Sequence, residues 1–200
     1  MNLKKALAAV LLLGMAALAC ARQGPKLDGV AAILFKNVKT KLTMADKNAV
    51  AAKTGFVLSG DKVLPFASDK DSKEYPFGAV VLPTDMNEDG QEEIFISFGN
   101  TYTSGMAGSS IALFIKDPKD PKGVYADQLG FPGLVPDALD SIGKGYPDLL
   151  IGGPGFEYPV WSWNGKAYVF SRTVKDADYS RLKKLSVEEI SKAYQQTIKE

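Results

Sequence analysis

An acidic loop set between two apolar runs constrains the fold more than any other feature of the chain. The runs 77–82 and 93–98 have the length and the β-branched and aromatic content of strands. Between them lies Asp85-Met-Asn-Glu-Asp-Gly-Gln-Glu-Glu93, which carries five carboxylates within nine residues. The sequence therefore predicts two strands joined by a loop in which several negative charges repel one another unless something neutralises them.

Oxygen-bearing side chains recur in this loop at the spacing of a calcium-binding loop. Counted from Asp85, they occupy positions 1, 3, 5 and 9, which are Asp85, Asn87, Asp89 and Glu93. Gly90 at position 6 permits the sharp turn that such a loop needs, and Gln91 at position 7 can offer its backbone carbonyl. Because calcium takes six to eight hard oxygen ligands at about 2.3–2.6 Å, these residues predict a Ca²⁺ site.

The loop differs from an EF-hand and resembles another family. An EF-hand needs a bidentate Glu at position 12, where this chain has Ile96. A helix follows the loop of an EF-hand, whereas the sequence here predicts a strand. The spacing resembles the FG-GAP/VCBS repeat, whose Asp-x-Asn-x-Asp-Gly-x-x-Asp motif precedes a hydrophobic strand. In that family the Asp and Asn positions bind calcium within a β-hairpin loop, and here Glu93 stands at the final Asp position. The alternative is a polar Asp-Gly turn without any metal.

A degenerate copy of the motif follows 55 residues later. It keeps the first, sixth and ninth positions as Asp140, Gly145 and Asp148. The third and fifth positions hold Ile142 and Lys144, which removes ligands and adds a positive charge. The resemblance thus implies two FG-GAP-like units, at about 77–100 and 132–165, of which the second is structural and binds no metal. Two units are too few for the closed propeller that such repeats build elsewhere, since a ring takes about four blades or more.

The beginning of the chain has the three parts of a bacterial signal peptide. Lys4 and Lys5 precede an apolar run of 13 residues, and small residues then lead to Cys20. The run is too short to span a bilayer, which takes about 20 residues. Ala19-Cys20 resembles the lipobox of bacterial lipoproteins, in which the Cys becomes lipidated and is the first mature residue. The sequence therefore predicts a signal peptide over 1–19, lipidation of Cys20, a lipid-anchored tether over 20–27 and one globular domain over 28–200.

Composition and charge exclude several kinds of protein. Cys20 is the only cysteine, which excludes disulfides, and the absence of histidine rules out His-dependent triads and His-ligated zinc. Loss of Lys4 and Lys5 with the signal peptide takes the formal net charge from +1 to −1, and no basic patch predicts a nucleic-acid partner. The lipoprotein resemblance also implies a location, because Ala21 is not the Asp that retains lipoproteins at the inner membrane. We therefore expect an envelope protein on the periplasmic side of the outer membrane.

The remaining segments predict an α+β fold, with a β-rich centre of sheet and hairpins that carries the calcium loop and with a short N-terminal helix and a C-terminal helix. The N-terminal helix is predicted over 43–53, with Thr43 as N-cap and Gly55 as its stop. The C-terminal helix is predicted over 186–199, with Ser186 and Glu189 as a capping box. Strands are predicted over 110–115 and 148–151, and hairpins over 56–66 and 158–171.

The second of these hairpins has an aromatic face. A two-residue turn at Asn164-Gly165 predicts that Trp161 pairs with Tyr168. Four aromatic side chains then share one face of the hairpin: Trp161, Trp163, Tyr168 and Phe170. This face is either a platform for a glycan or a peptide, or a part of the core.

The sequence as a whole predicts a membrane-anchored envelope lipoprotein with a calcium-stabilised binding module and no catalysis. Its expected partners are the membrane, through the N-terminal lipid, and an envelope protein or a glycan. Tyr102 is a further candidate ligand contact, because it lies in the polar segment 99–110, which either lines a ligand site or simply connects two strands. Two alternatives stay open: a carboxylate-based glycan hydrolase that uses Asp148 and Glu157, and a purely structural lipoprotein.

Overall fold

The computed structural model describes residues 26–116, 123–139, 145–152 and 157–199. The predicted signal peptide, Cys20 and most of the predicted tether lie outside these ranges, as do Asp140, Ile142 and Lys144 of the second motif. Within the described ranges, none of the helices has the length and the apolar composition that a membrane span requires.

The described residues form helices and antiparallel sheets, which confirms the α+β prediction. Their five α-helices are α1 (Gly29–Leu34), α2 (Met44–Thr54), α3 (Thr101–Ser104), α4 (Asp176–Tyr179) and α5 (Val187–Thr197), and a 3₁₀ turn covers Gly105–Ala107. Their strands are β1 (Val57–Leu58), β2 (Phe66–Ala67), β3 (Ala79–Thr84), β4 (Glu93–Phe98), β5 (Ser110–Ile115), β6 (Ala126–Pro132), β7 (Asp137–Leu139), β8 (Leu149–Leu150), β9 (Glu157–Trp163), β10 (Tyr168–Lys175) and β11 (Lys184–Ser186). They make sheets of order β1-β2, β3-β4-β5-β6 and β10-β9-β8-β7-β11.

The four-stranded sheet is covered on both faces. Successive side chains of a strand point to opposite faces, so β4 sends Ile94 and Ile96 to one side and Phe95 to the other. The first side packs against α1 and α2, and the second packs against the five-stranded sheet and α5. Each large side chain buried in this way contributes about 1.5–3 kcal/mol. This double coverage explains why β4 over 94–96 and β5 over 111–115 are apolar without alternation.

The strand prediction is confirmed for β4 and β5, both of which have the predicted bounds. The preceding strand begins two residues later than predicted, at Ala79. Phe77 instead bridges to Phe66 of β2, with hydrogen bonds in both directions of 2.8 and 3.2 Å. The small β1-β2 hairpin is thereby attached to the beginning of β3.

The N-terminal helix begins and ends where its local signals predict. Thr43 accepts a hydrogen bond from the Asp46 N–H, and Asp46 returns the capping-box bond. Gly55 ends α2 in the left-handed conformation, with φ 70°. The sequence did not predict α1, which Asp28 caps through the Ala31 N–H over 2.6 Å.

The C-terminal helix is also confirmed, as α5, with Ser186 as its N-cap. The Ser186 hydroxyl accepts from the Glu188 N–H over 3.2 Å, which is one residue earlier than a capping box requires. Val187 and Ser191 are fully buried against the sheets, so α5 completes the core on that side.

The register predicted for the β9-β10 hairpin is wrong. Trp161 pairs with Phe170 rather than with Tyr168, because the connection has four residues rather than two. The Asn164 carboxamide oxygen accepts from the N–H groups of both Lys166 and Ala167 over 2.9 Å, which stabilises the longer turn. The shift of two residues leaves the same aromatic side chains on one face.

Gly99, between β4 and α3, gives a prediction for stability. Its φ is +102°, and an added Cβ would lie 2.4 Å from the Ser104 Oγ, which is itself hydrogen-bonded to Ser110. Gly60 has a similar φ of +95° and open space around it, so Gly60→Ala is a matched control. We expect Gly99→Ala to lower the free energy of unfolding by about 2 kcal/mol more than the control does. Urea unfolding measures both, and equal losses would contradict this account of the site.

Candidate calcium-binding loop

The acidic loop closes the hairpin of β3 and β4. Thr84 and Glu93 are the last pair of the ladder, so the residues between them leave the sheet. Glu88 adopts φ 58° and Gly90 adopts φ 84°, two left-handed residues that let the chain reverse within a few positions. The Glu88 N–H donates to the Asp85 carbonyl over 3.3 Å, which forms the turn predicted by the sequence.

Three of the predicted ligands face the backbone of the loop itself. The Asp85 Oδ1 accepts from the Gly90 N–H over 3.2 Å, and the Asp89 Oδ1 accepts from the Gln91 N–H over 2.8 Å. The Asn87 carboxamide accepts from the Asp89 N–H over 3.2 Å and donates to the Asp89 Oδ2 over 2.8 Å. Since Asp and Asn make such bonds in ordinary turns, these contacts alone do not distinguish a metal loop from a plain turn.

Glu93 is the unusual member of the set. Its side chain is only 1% exposed. Its Oε2 accepts from the Thr84 hydroxyl over 2.9 Å and from the Met86 N–H over 2.8 Å, whereas its Oε1 is buried without a hydrogen-bond partner. An unsatisfied buried polar atom costs about 1–3 kcal/mol, and more when the group is charged.

The surroundings of Glu93 disfavour its ionised form. Burial, assisted by the negative charges of Asp85 and Asp89, raises the pKa of the Glu93 carboxyl to about 8, although the bonds from Met86 and Thr84 act in the opposite direction. A buried carboxyl has a raised pKa because the charged form loses its hydration. A cation bound to the free Oε1 would stabilise the ionised form of the Glu93 carboxyl.

A second oxygen of the loop is also buried without a partner. The Gln91 Oε1 accepts no hydrogen bond. The sequence assigned the backbone carbonyl of Gln91 to calcium, and the structure adds its side-chain oxygen as a candidate. Buried amide oxygens are normally hydrogen-bonded, so two such atoms in one loop need an explanation.

The carboxylates by themselves do not form a metal cage. Within the described ranges, no three acidic, histidine or cysteine side chains come together closely enough to hold a metal ion. A calcium ion in this loop would therefore need the amide oxygens of Asn87 and Gln91, or backbone carbonyls, in addition to carboxylates. Calcium accepts such mixed oxygen sets.

Glu92 has a role that sequence reasoning missed. It is 3% exposed, and its carboxylate accepts from the Lys41 N–H over 2.7 Å and from the Thr40 hydroxyl. The segment before α2 is thereby tied to the beginning of β4. Strand alternation was the available signal, because adjacent residues such as Glu92 and Glu93 must point to opposite sides.

Of the other candidate residues, Tyr168 belongs to the same core cluster as Met86 of this loop. Tyr102 is 61% exposed and stacks on Tyr75, with ring centroids 3.7 Å apart. Trp161 and Trp163 are half-buried and Tyr168 is buried, and all three pack in the core between the two larger sheets. Most of the aromatic face is therefore core, and only Phe170, 56% exposed, remains largely open.

Of the two residues considered for hydrolysis, the structure describes the side chain of Asp148. The Asp148 Oδ2 lies 2.8 Å from Nη1 of Arg172, in an ion pair at the surface. The side chain of Glu157 lies outside the described residues.

Of the second motif, Gly145 has φ +101° and the Asp148 carbonyl accepts from the Leu139 N–H, so this segment also closes a pair of antiparallel strands, β7 and β8.

Compared with protein-family models, curated proteins and solved structures, the chain gives no significant match. The resemblance of the acidic loop to FG-GAP repeats therefore stays a prediction, and the loop must be judged on its own contacts.

Proposed function

We propose that the protein is a membrane-anchored envelope lipoprotein whose domain binds calcium at the loop between β3 and β4. The ion would be held by Asp85, Asn87, Asp89, Gln91 and Glu93. The observation that carries this proposal is the Glu93 Oε1, a buried carboxylate oxygen without a hydrogen-bond partner.

A plain Asp-Gly turn accounts for only part of the loop. It explains the bonds of Asp85, Asn87 and Asp89 to nearby N–H groups. It does not explain why Glu93 is buried in a core, where a leucine or isoleucine would cost nothing in desolvation. A calcium ion would bind the free Glu93 Oε1. It would also offset the negative charges of Asp85, Asp89 and Glu93, which otherwise repel one another.

Calcium would act in this protein as a structural ligand. An ion that binds the folded chain and not the unfolded chain stabilises the fold by mass action. The loop is continuous with β3 and β4, whose side chains belong to both large core clusters, so its stabilisation extends to both cores. We propose that this holds a binding module for an envelope protein or a glycan, with the membrane reached through the lipid on Cys20.

The test is calorimetric titration of the purified full chain with calcium, with magnesium as the control ion. One calcium should bind per chain, and magnesium should bind far more weakly because it retains its waters and demands near-octahedral geometry. Mass spectrometry of the N-terminal peptide checks the acyl chains on Cys20. An absence of calcium binding would reduce the loop to a turn, and an unmodified Cys20 would remove the anchor.

A further inference from the structure

Six apolar or aromatic side chains stand exposed on three neighbouring segments: the β1-β2 hairpin, the loop before β3, and the connection between β4 and β5. They are Leu58 (37% exposed), Val63 (83%), Leu64 (40%), Tyr75 (38%), Tyr102 (61%) and Met106 (90%). We call them the apolar loop surface. Single exposed apolar residues are ordinary, but a group of this kind marks an interaction surface.

Contacts between the three segments make this one surface. The Asn100 carboxamide donates to the carbonyls of Tyr75 and Pro76 over 3.2 and 3.1 Å. The rings of Tyr75 and Tyr102 stack with an interplanar angle of 6°. The β1-β2 hairpin joins them from the other side, because a Cβ built on Gly78 would lie 3.9 Å from the Leu64 Cδ2.

Hydrogen bonds from side chains to the backbone fix the segments that carry this surface. The Asp61 Oδ1 accepts from the N–H groups of Val63 and Leu64 over 2.7 and 2.8 Å, which fixes the tip of the hairpin. Asn100 caps α3 by accepting from the Tyr102 and Thr103 N–H groups over 2.9 and 3.1 Å. The surface is therefore pre-organised rather than an accident of loose loops.

The position of this surface in the fold indicates what covers it. It lies where β4 ends and β5 begins, whereas the calcium loop lies at the other end of the same sheet. It is also close to the beginning of the described chain, because a Cβ on Gly29 would lie 3.3 Å from the Leu58 Cδ1. Lys26 follows Cys20 by six residues, a span of about 20 Å at most. A lipid on Cys20 therefore keeps this end of the domain near the headgroups.

The chemistry of the surface suits a bilayer. Segment 99–109, which carries Tyr102 and Met106, contains no charged residue, so its burial removes no ion from water. The charged neighbours of the other segments, Asp61, Lys62 and Glu74, would stay at the level of the headgroups. Tyrosine rings favour the membrane–water interface, where the ring is apolar and the hydroxyl is hydrated. We propose that the apolar loop surface rests on the lipid bilayer and that the calcium loop faces away from it. This proposal relies on the anchoring at Cys20.

Photo-crosslinking in intact cells tests it on the full chain. The photoreactive residue p-benzoylphenylalanine replaces Met106 in one variant and Val124 in the other. Val124 is a matched control, since it is 72% exposed and lies beyond the opposite end of β5. Illumination should produce lipid adducts at position 106 and not at position 124, and equal adducts at the two positions would overturn the proposal.

Mass spectrometry of the illuminated protein detects both the lipid adducts and the acyl chains on Cys20. It therefore tests the surface and the anchor separately. Acyl mass on Cys20 without adducts at position 106 would overturn the surface and leave the anchor. Adducts at position 106 without acyl mass would show that the surface contacts lipid and would overturn the account in which the lipid on Cys20 holds it there. Absence of both would overturn both proposals.

A second variant checks that the adducts depend on apolar contact. Val63→Asp with Tyr102→Asp should lower the yield at position 106 by about tenfold, because two apolar groups no longer enter the interface. Val124→Asp should leave the yield unchanged. An unchanged yield in the double variant would also overturn the proposal.

Discussion

At a calcium concentration of about 100 to 1,000 times its dissociation constant, the full chain should melt roughly 10 °C higher than in chelator. The variant Asp85→Asn with Asp89→Asn should lose this increase. The free energy from mass action is about 3–4 kcal/mol under these conditions, which accounts for the size of the shift. Differential scanning calorimetry with and without chelator measures it.

The asparagine substitutions remove charge and keep shape. The amide oxygen of each Asn can accept the bond that Asp85 takes from the Gly90 N–H and Asp89 takes from the Gln91 N–H, and only the bond from the Asn87 carboxamide to the Asp89 Oδ2 is lost. The turn should therefore survive, and in chelator the double variant should be at least as stable as the parent, because less negative charge faces Glu93. A large loss of stability in chelator would indicate that the loop is held by its carboxylates without any ion.

Asp61→Asn is the matched control for this experiment. Asp61 forms the same kind of turn in the β1-β2 hairpin, where its carboxylate accepts from the N–H groups of Val63 and Leu64. Its replacement should leave the response to calcium intact. If the double variant keeps the response, or if the control loses it, calcium does not bind at the proposed loop.

Local signals predicted those elements whose boundaries are set by nearby residues. Thr43 and Gly55 bound α2 because a capping side chain and a left-handed glycine act within one turn. The strands β4 and β5 were predicted with their bounds because both are short apolar runs between polar loops. In contrast, α1 has only six residues, so its helix depends on the burial of Ala31 and Leu34 rather than on propensity.

The candidate site shows where sequence reasoning stops. Residue types and spacing identify a turn rich in oxygen ligands, but they do not say which side chains lie inside the protein. Glu93 is buried because Met86 and Tyr168, the latter far along the chain, belong to the core on that side of the sheet. The predicted register of the β9-β10 hairpin was wrong for a related reason. The Asn164 side chain stabilises a longer turn than the Asn-Gly pair alone implies.

In calcium-free buffer, the stability of the protein should fall as the pH rises from 5 to 9, and Glu93→Gln should remove most of this fall. The folded protein holds the Glu93 proton up to a pKa of about 8, whereas the unfolded chain releases it near the ordinary value of 4.5. Between these values the folded state binds more protons than the unfolded state, so raising the pH favours unfolding. The full effect is roughly 3–5 kcal/mol.

Two carboxylates outside the loop, Asp61 and Asp69, act in the opposite sense. Hydrogen bonds lower the pKa of Asp61 and of Asp69 below the ordinary value of 3.8, so their contribution to stability changes only in more acidic solution and in the opposite sense. Glu88→Gln is the matched control, since Glu88 is an exposed carboxylate of the same loop. Urea unfolding at several pH values should give the same profile for this control as for the parent, and an unchanged slope in Glu93→Gln would contradict the assignment.

The same variant connects the pH response to calcium. An amide at position 93 can still accept from Thr84 and Met86 through its oxygen, but it offers no negative charge to an ion. If the Glu93 Oε1 is the oxygen that calcium satisfies, Glu93→Gln should be more stable than the parent in chelator at pH 9 and should gain little from calcium. A variant that loses the pH slope and still gains stability from calcium would make Glu93 a buried protonated acid and place the ion elsewhere. Loss of both responses requires one group to serve both, because no other change was made to the chain.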